Sequence, residues 1–182
     1  MKKTFGPEDV FHYVYAVFHS PGYRARYAEF LRMDFPRLPL TENVALFRKL
    51  TALGADLAAL HLLRTDGPDA PNFPETGSNV VEEVRFAGAE PDAHREAAGL
   101  LTRGAVFINS KQYFSGVPAE AWHFPIGGYL PAQKWLKDRK GRALSAEEQT
   151  HYPRLIAALA ETRRLMAAID TAIAAAGGWP LK

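Results

Sequence analysis

The chain has 182 residues, 47% hydrophobic, 23% charged and 12% aromatic, with Lys+Arg 22 against Asp+Glu 20 and a formal net charge of +2. This is the composition of a soluble globular protein with one good core, and it excludes disordered, collagen-like and disulfide-scaffold classes. Zero cysteines remove thiolate nucleophiles, zinc fingers and iron–sulfur clusters; without an apolar run near the roughly 18 residues of a membrane span, or a signal-peptide core behind MKKTFGPE, a cytoplasmic protein with no membrane partner is expected.

In chain order, PEDVFHYVYAVFHS at residues 7–20 places Val10, Phe11, Val14, Val17 and Phe18 at helical spacing, with Glu8 and Asp9 in the first turn. This predicts a buried amphipathic helix. After Pro21-Gly22, the residues Tyr23, Tyr27, Phe30 and Leu31 mark a second short helix that carries Arg24, Arg26 and Arg32. The prolines of FPRLP at 35–39 forbid helix. From Thr41, read as an N-cap, the series Leu46, Leu50, Leu53, Leu57, Leu60 steps by four and three, widened by Phe47 and Leu63, and predicts a third helix ending near Arg64.

Residues 65–77, with Gly67, Pro68, Pro71, Pro74 and Gly77, read as connector. The runs NVVEEVRF (79–86), AVFIN (105–109) and QYFSG (112–116) then predict a small sheet, with residues 87–102 a loop or short helix. Trp122, Phe124 and Ile126 alternate before Gly127-Gly128, a pair that requires positive φ or close backbone approach. Residues 130–138 read as helix, and Ser145-Ala146-Glu147-Glu148 as a capping box. It opens a last helix with Leu155, Leu159, Met166, Ile169 and Ile173 on one stripe, ending at Gly177-Gly178. The expected fold class is α+β: N-terminal helices and a long C-terminal helix form a frame flanking a small central β-sheet. A single domain over 1–182 is expected, with sub-parts 7–64 helical, 78–129 β-rich and 130–178 helical.

No phosphate-cradling glycine loop, HExxH, G-x-S-x-G or triad-like spacing occurs, so no catalytic residue is assigned. The histidines His12, His19, His61, His94, His123 and His151 show no i, i+4 pair, so no metal ligand is assigned either. Glu147 and Glu148 read as capping and dipole compensation. The informative stretch is GGYLPAQKWLKDRKGR at 127–142, which packs Lys134, Lys137, Arg139, Lys140 and Arg142 into nine residues with the single acid Asp138. Such a run gains affinity for a duplex by releasing counterions, and a Gly-Gly turn lets backbone amides approach phosphate. The plain alternative is a solvated helix end whose cations offset the dipole. Trp135 and Leu136 read as core. A second cluster, Asn109-Ser110-Lys111-Gln112-Tyr113, has side chains able to make forked contacts to base edges, and is equally an ordinary hairpin composition.

Four stretches taken together carry a resemblance: EDVFHYVYAVFHSPGYRARYAEFLRMDFPRLPL, LFRKLTALGADLAALHLL, VFINSKQYFSGVPAEAWHFPIGGYLPAQKWLKDRKGRALSAEEQTHY and ALAETRRLMAAID. In this order they resemble the C-terminal specificity region of single-polypeptide Type I-like, or Type ISP, restriction-modification enzymes and related adenine-specific DNA methyltransferases. The resemblance runs from about Glu8 to Pro180, and GGY…KWLKDRKGR is its strongest block. It implies a target recognition domain that reads double-stranded DNA, is not an enzyme on its own, holds no cofactor, and works with a methyltransferase domain or subunit that carries S-adenosylmethionine. The sequence has neither the glycine-rich motif for that cofactor nor an N-P-P-[YF] tetrapeptide. A methyltransferase that flips its base needs a module to hold the duplex in register, with phosphate contacts positioning and base contacts specifying. Lys134, Lys137, Arg139, Lys140 and Arg142 with Gly127 and Gly128 are expected on phosphates; Asn109, Lys111, Gln112, Tyr113 and Tyr129 are expected on bases. The competing expectation is an interaction module whose helices at 7–20 and 41–64 dock on a catalytic subunit; a small enzyme with an unrecognised site is the third.

Overall fold

Residues 5–68, 70–89 and 102–181 are described by a computed structural model, in which helices and a small antiparallel sheet make an α+β arrangement. Contacts divide the chain into one unit of residues 1–65 with 162–182 and a second of residues 66–161. The divisions fall at 65/66 and inside the last helix.

The first unit holds α1 (Pro7–His19), α2 (Pro21–Arg26), α3 (Ala28–Met33) and α4 (Val44–His61). The buried face of α1 is Tyr13, Ala16 and Val17. Val10 and Phe11, expected inside, are 46% and 55% exposed. The stripe turns because Tyr13 can be buried whole: its ring stacks on Phe47 at 4.7 Å and its hydroxyl donates to the Pro39 carbonyl at 2.8 Å. Burial pushes that phenol up to about 12. The helix expected across Tyr23 to Leu31 breaks at Tyr27 into α2 and α3. The cap of α4 is Asn43 rather than Thr41, since Asn43 Oδ1 accepts from the amides of Ala45 and Leu46 at 3.0 and 3.1 Å. Leu46, Leu50, Leu53, Leu57 and Leu60 are buried as the spacing predicts. Gly54 lets α4 lie against α1, because a Cβ there would meet the His12 carbonyl oxygen at 1.9 Å. From the C-terminal part of the last helix, Asp170 accepts from Ser20 Oγ and, at 2.8 Å, from the Gly22 amide.

The second unit holds β1 (Arg85–Ala87), β2 (Arg103–Phe107), β3 (Tyr113–Pro118), α5 (Ala119–Trp122), α6 (Pro131–Lys137) and the first half of α7 (Ala146–Ala175). The sheet is antiparallel in the order β1-β2-β3, with an irregularity at Gly104/Ala105. Phe86, Val106 and Phe114 are paired across it and turn to the core, so by alternation Arg85, Phe107 and Tyr113 share the other face. Only the end of the NVVEEVRF run joins this sheet; Val80 and Val81 bridge to Ala143 and Lys140 instead. Trp122, expected in an extended alternating run, lies in the short helix α5. Val81, Ile108, Leu136, Leu144, Tyr152 and Ile156 complete the core, each worth roughly 1.5–3 kcal/mol when fully buried. The capping box is formed: Glu148 N donates to Ser145 Oγ at 3.2 Å and Ser145 N to Glu148 Oε2 at 3.0 Å. Residues 90–101, including most of the expected loop or helix at 87–102 and His94, lie outside the described residues. Among the described residues no helix is long and apolar enough to cross a membrane.

Candidate nucleic-acid interface

The β2–β3 connection closes on Asn109, whose Oδ1 accepts from the amides of Lys111 and Gln112 at 3.0 and 2.7 Å. Gln112 is 1% exposed. Its Oε1 accepts from Asn79 N at 2.8 Å and Asn109 Nδ2 at 3.1 Å, while its Nε2 donates to Glu75 O at 3.0 Å and Asn79 Oδ1 at 2.8 Å. Asn109 Nδ2 also reaches Val80 O at 3.0 Å. Asn109 and Gln112 were expected to face a groove; they are instead buried and saturated within the protein, where an unpaired amide would cost about 1–3 kcal/mol. What they leave exposed at the tip are Ser110 and Lys111. Tyr113 is half-buried beside Phe107, their rings 5.1 Å apart, and Arg85 lies 4.4 Å over Phe107 in the same cross-strand row.

Residues 79–81 join this turn to the basic run. Asn79 receives the Gln112 amide contacts on one side and accepts from Leu144 N at 2.8 Å on the other. Val81 N donates to Arg142 O at 3.0 Å and Gly141 N to Val81 O at 2.7 Å. Lys111 and the 140–144 segment are therefore held by one continuous set of hydrogen bonds. Within the run, Lys134 pairs with Asp138 at 2.8 Å, across 54% and 55% exposed side chains, a surface pair of little energetic weight. Arg139 stacks 3.5 Å over Trp135, donates to Trp135 O, and meets Glu148 at 2.8 Å. Arg142 meets the same carboxylate through both terminal nitrogens, at 2.6 and 2.9 Å. The Arg142 fork, with help from the Ser145 amide and Arg139, holds the Glu148 carboxyl well below the usual carboxylate range. Among the described residues Lys137 and Lys140 are in no ion pair; both are exposed, and Lys137 Nζ donates to Gln133 at 3.3 Å. Leu136 is core, as read from the sequence, whereas Trp135, also read as core, is half-buried against it.

Gly127 and Gly128 form a tight reversal, with φ of 58° and 89°, between Ile126 and Tyr129, which exchange backbone bonds at 2.9 and 3.2 Å. A Cβ at either glycine would meet nothing within 4 Å, so positive φ and not close approach explains the pair. Both glycines and Tyr129 are exposed, and among the described residues no hydrogen bond ties this turn directly to the set that unites Lys111 with 140–144. Sequence reasoning read Glu148 as a cap and missed that it also organises two of the five cations, and it missed Arg85, which enters the sheet face only through strand register.

The family model of the Type ISP C-terminal specificity domain matches residues 1–168. Among solved structures the chain is similar to a nuclease-deletion mutant of the Type ISP restriction-modification enzyme LlaGI in complex with a DNA substrate mimic: TM-score 0.65, 19% identity, covering 92% of this chain and 14% of that one. It is similar to DrdV in a DNA complex, with TM-score 0.57, 25% identity, and 90% and 18% coverage. A third likeness is to the ATP-dependent Type ISP restriction-modification enzyme LlaBIII bound to DNA, with TM-score 0.58, 19% identity, and 92% and 11% coverage. The chain thus spans only 14%, 18% and 11% of the lengths of these proteins. No curated protein matches it in sequence.

Proposed function

The chain belongs to the Type ISP C-terminal specificity domain family, and on that premise we propose that it reads the sequence of double-stranded DNA on behalf of an adenine-specific methyltransferase. The observation that carries the reading is the hydrogen-bonded continuity from the Lys111 turn through residues 79–81 to residues 140–144. A base-reading side chain is useful only if its backbone is fixed relative to the phosphate-gripping residues, and this linkage, which ties the backbone at Lys111 to residues 140–144, supports that reading. In this reading Lys134, Lys137, Arg139, Lys140, Arg142 and the open amides of Gly127 and Gly128 grip phosphates. Lys111, Tyr113 and Tyr129 face bases. Asn109 and Gln112 hold the turn and touch no base.

The chemistry of methyl transfer is assigned to the associated methyltransferase domain, with its S-adenosylmethionine, and this chain supplies register and selectivity. Two measurements test the assignment. Titration of duplex DNA at several salt concentrations is expected to give salt-dependent binding, and incubation with labelled S-adenosylmethionine to leave DNA unlabelled above a boiled control. Methyl incorporation by the purified chain would overturn the non-catalytic part of the proposal.

The first unit supports docking on that partner as an accompanying role. Phe30, Met33 and Phe35, on α3 and just after it, are 67%, 77% and 88% exposed, and an apolar cluster of this kind marks an interaction surface. Phe30→Ser with Phe35→Ser is expected to weaken association with a methyltransferase domain while leaving the fold intact; unchanged association removes this role.

A further inference from the structure

Gln112 satisfies all four hydrogen-bonding positions of its amide while 1% exposed, and three of the four bonds go to residues 75 and 79. Reversing the chain between β2 and β3 requires none of this, because Asn109 Oδ1, through two backbone amides, and the Ile108 N bond to Gln112 O at 3.0 Å close the turn. What the Gln112 bonds accomplish is to seat residues 75–79 beside Lys111. The backbone at Gly77 lies flat on that amide, where a Cβ would stand 2.7 Å from the Gln112 amide carbon. Asn79 adopts φ of 58° to receive it. The side chains of Glu75, Thr76 and Ser78 are left exposed.

Resting on the DNA-reading proposal above, we infer that residues 75–78 are a second base-reading loop, with Glu75 as acceptor for an exocyclic amino group and Gln112 as the residue that positions the loop against Lys111. A carboxylate next to a phosphate-gripping surface weakens non-specific attraction. It is the side chain suited to accept from cytosine N4, as serine and threonine hydroxyls suit either kind of edge and lysine suits the guanine O6/N7 edge. Glu75, whose carbonyl accepts from the buried Gln112 amide, and Lys111, which precedes Gln112 in the chain and donates its own amide to Asn109, therefore present an acceptor and a donor to neighbouring base pairs.

The test is selection of duplexes from a random pool by the full chain, followed by sequencing, for wild type, Lys111→Ala, Glu75→Gln, and the exposed triple variant Glu75→Ala, Thr76→Ala, Ser78→Ala. The triple variant is expected to lose preference by roughly 5- to 150-fold at one or two base pairs adjacent to the position relaxed by Lys111→Ala. Glu75→Gln, which exchanges an acceptor-only group for a donor and acceptor, is expected to change the preferred base rather than abolish preference. Gln112→Ala is expected to blur both sets of positions in molecules that still melt cooperatively; if it fails to fold, the triple variant decides. A wild type that enriches no site overturns the DNA-reading proposal and this inference with it. A wild-type site retained at equal stringency in the triple variant overturns this inference alone.

Discussion

Replacing Lys137 and Lys140 with alanine removes the two cations of the basic run that are in no ion pair among the described residues, and so should strike phosphate binding hardest. Both side chains are exposed, and exposed substitutions of this kind usually change stability by within about 0.5 kcal/mol. Each lost phosphate contact flattens the slope of log K against log salt by about 0.9, so the double variant should flatten it by about 1.8. Between 50 and 200 mM salt, a fourfold range, the affinity ratio of wild type to variant should then shrink by about 12-fold. Arg139→Ala with Arg142→Ala should change the slope less, because Glu148 already engages both guanidinium groups and leaves them less free for phosphate. Fluorescence anisotropy with a labelled random duplex at four salt concentrations measures both slopes. Parallel lines for wild type and the Lys137/Lys140 variant would refute the phosphate assignment.

Four further outcomes follow from the structure. Glu148→Gln should raise non-specific DNA affinity and steepen the salt slope by up to about 0.9, since one local negative charge is lost. Because the Glu148 carboxyl is depressed in the folded chain, chiefly by Arg142, its contribution to stability is present above the ordinary value of 4.5 and fades as pH falls below it; melting temperatures below that pH should drop more steeply for wild type than for Glu148→Gln. His19 and His61, with rings 5.4 Å apart, are lowered by burial first, and further by Arg24 beside His19 and by His19 beside His61. Folding therefore favours their neutral forms, so stability should be full above 6.5 and decline as pH falls through that value, with a shallower decline in His61→Gln by thermal melts. Gly54→Ala, which drives a methyl into the His12 carbonyl, should destabilise the chain by about 3 kcal/mol or more in urea unfolding, and an unchanged midpoint would contradict the close α1–α4 approach.

Strong periodicity was enough to read α4 and α7 as helices, because an apolar stripe of several turns overrides local detail, although in α7 Leu155 and Met166 are half-buried while Ile156 and Leu165 are buried. It misplaced the face of α1, since a pattern of apolar residues does not register that Tyr13 becomes buriable once Pro39 offers its hydroxyl an acceptor. Thr41 and Asn43 are both good caps, and which one closes α4 depends on where the chain enters. The β-branched Val80 and Val81 look like strand and do pair, but with residues 140–143 instead of the sheet, a choice set by tertiary contact. The basic run was legible as charge. Its internal order was not, because Glu148 lies on the next helix and reaches back nine and six residues. Gln112 in a short turn has the same letter whether it faces a groove or the core. The glycine at 77 and the asparagine at 79 were the available signs of a buried amide.

The central claim is that this chain discriminates DNA sequences and does not merely adhere to DNA. The most direct measurement is equilibrium competition at physiological salt between the duplex best enriched from a random pool and a scrambled duplex of the same length and composition. The account predicts at least about a 10³-fold preference, the lower bound for specific over non-specific binding. Equal affinity for the two duplexes, falling together as salt rises, would contradict it.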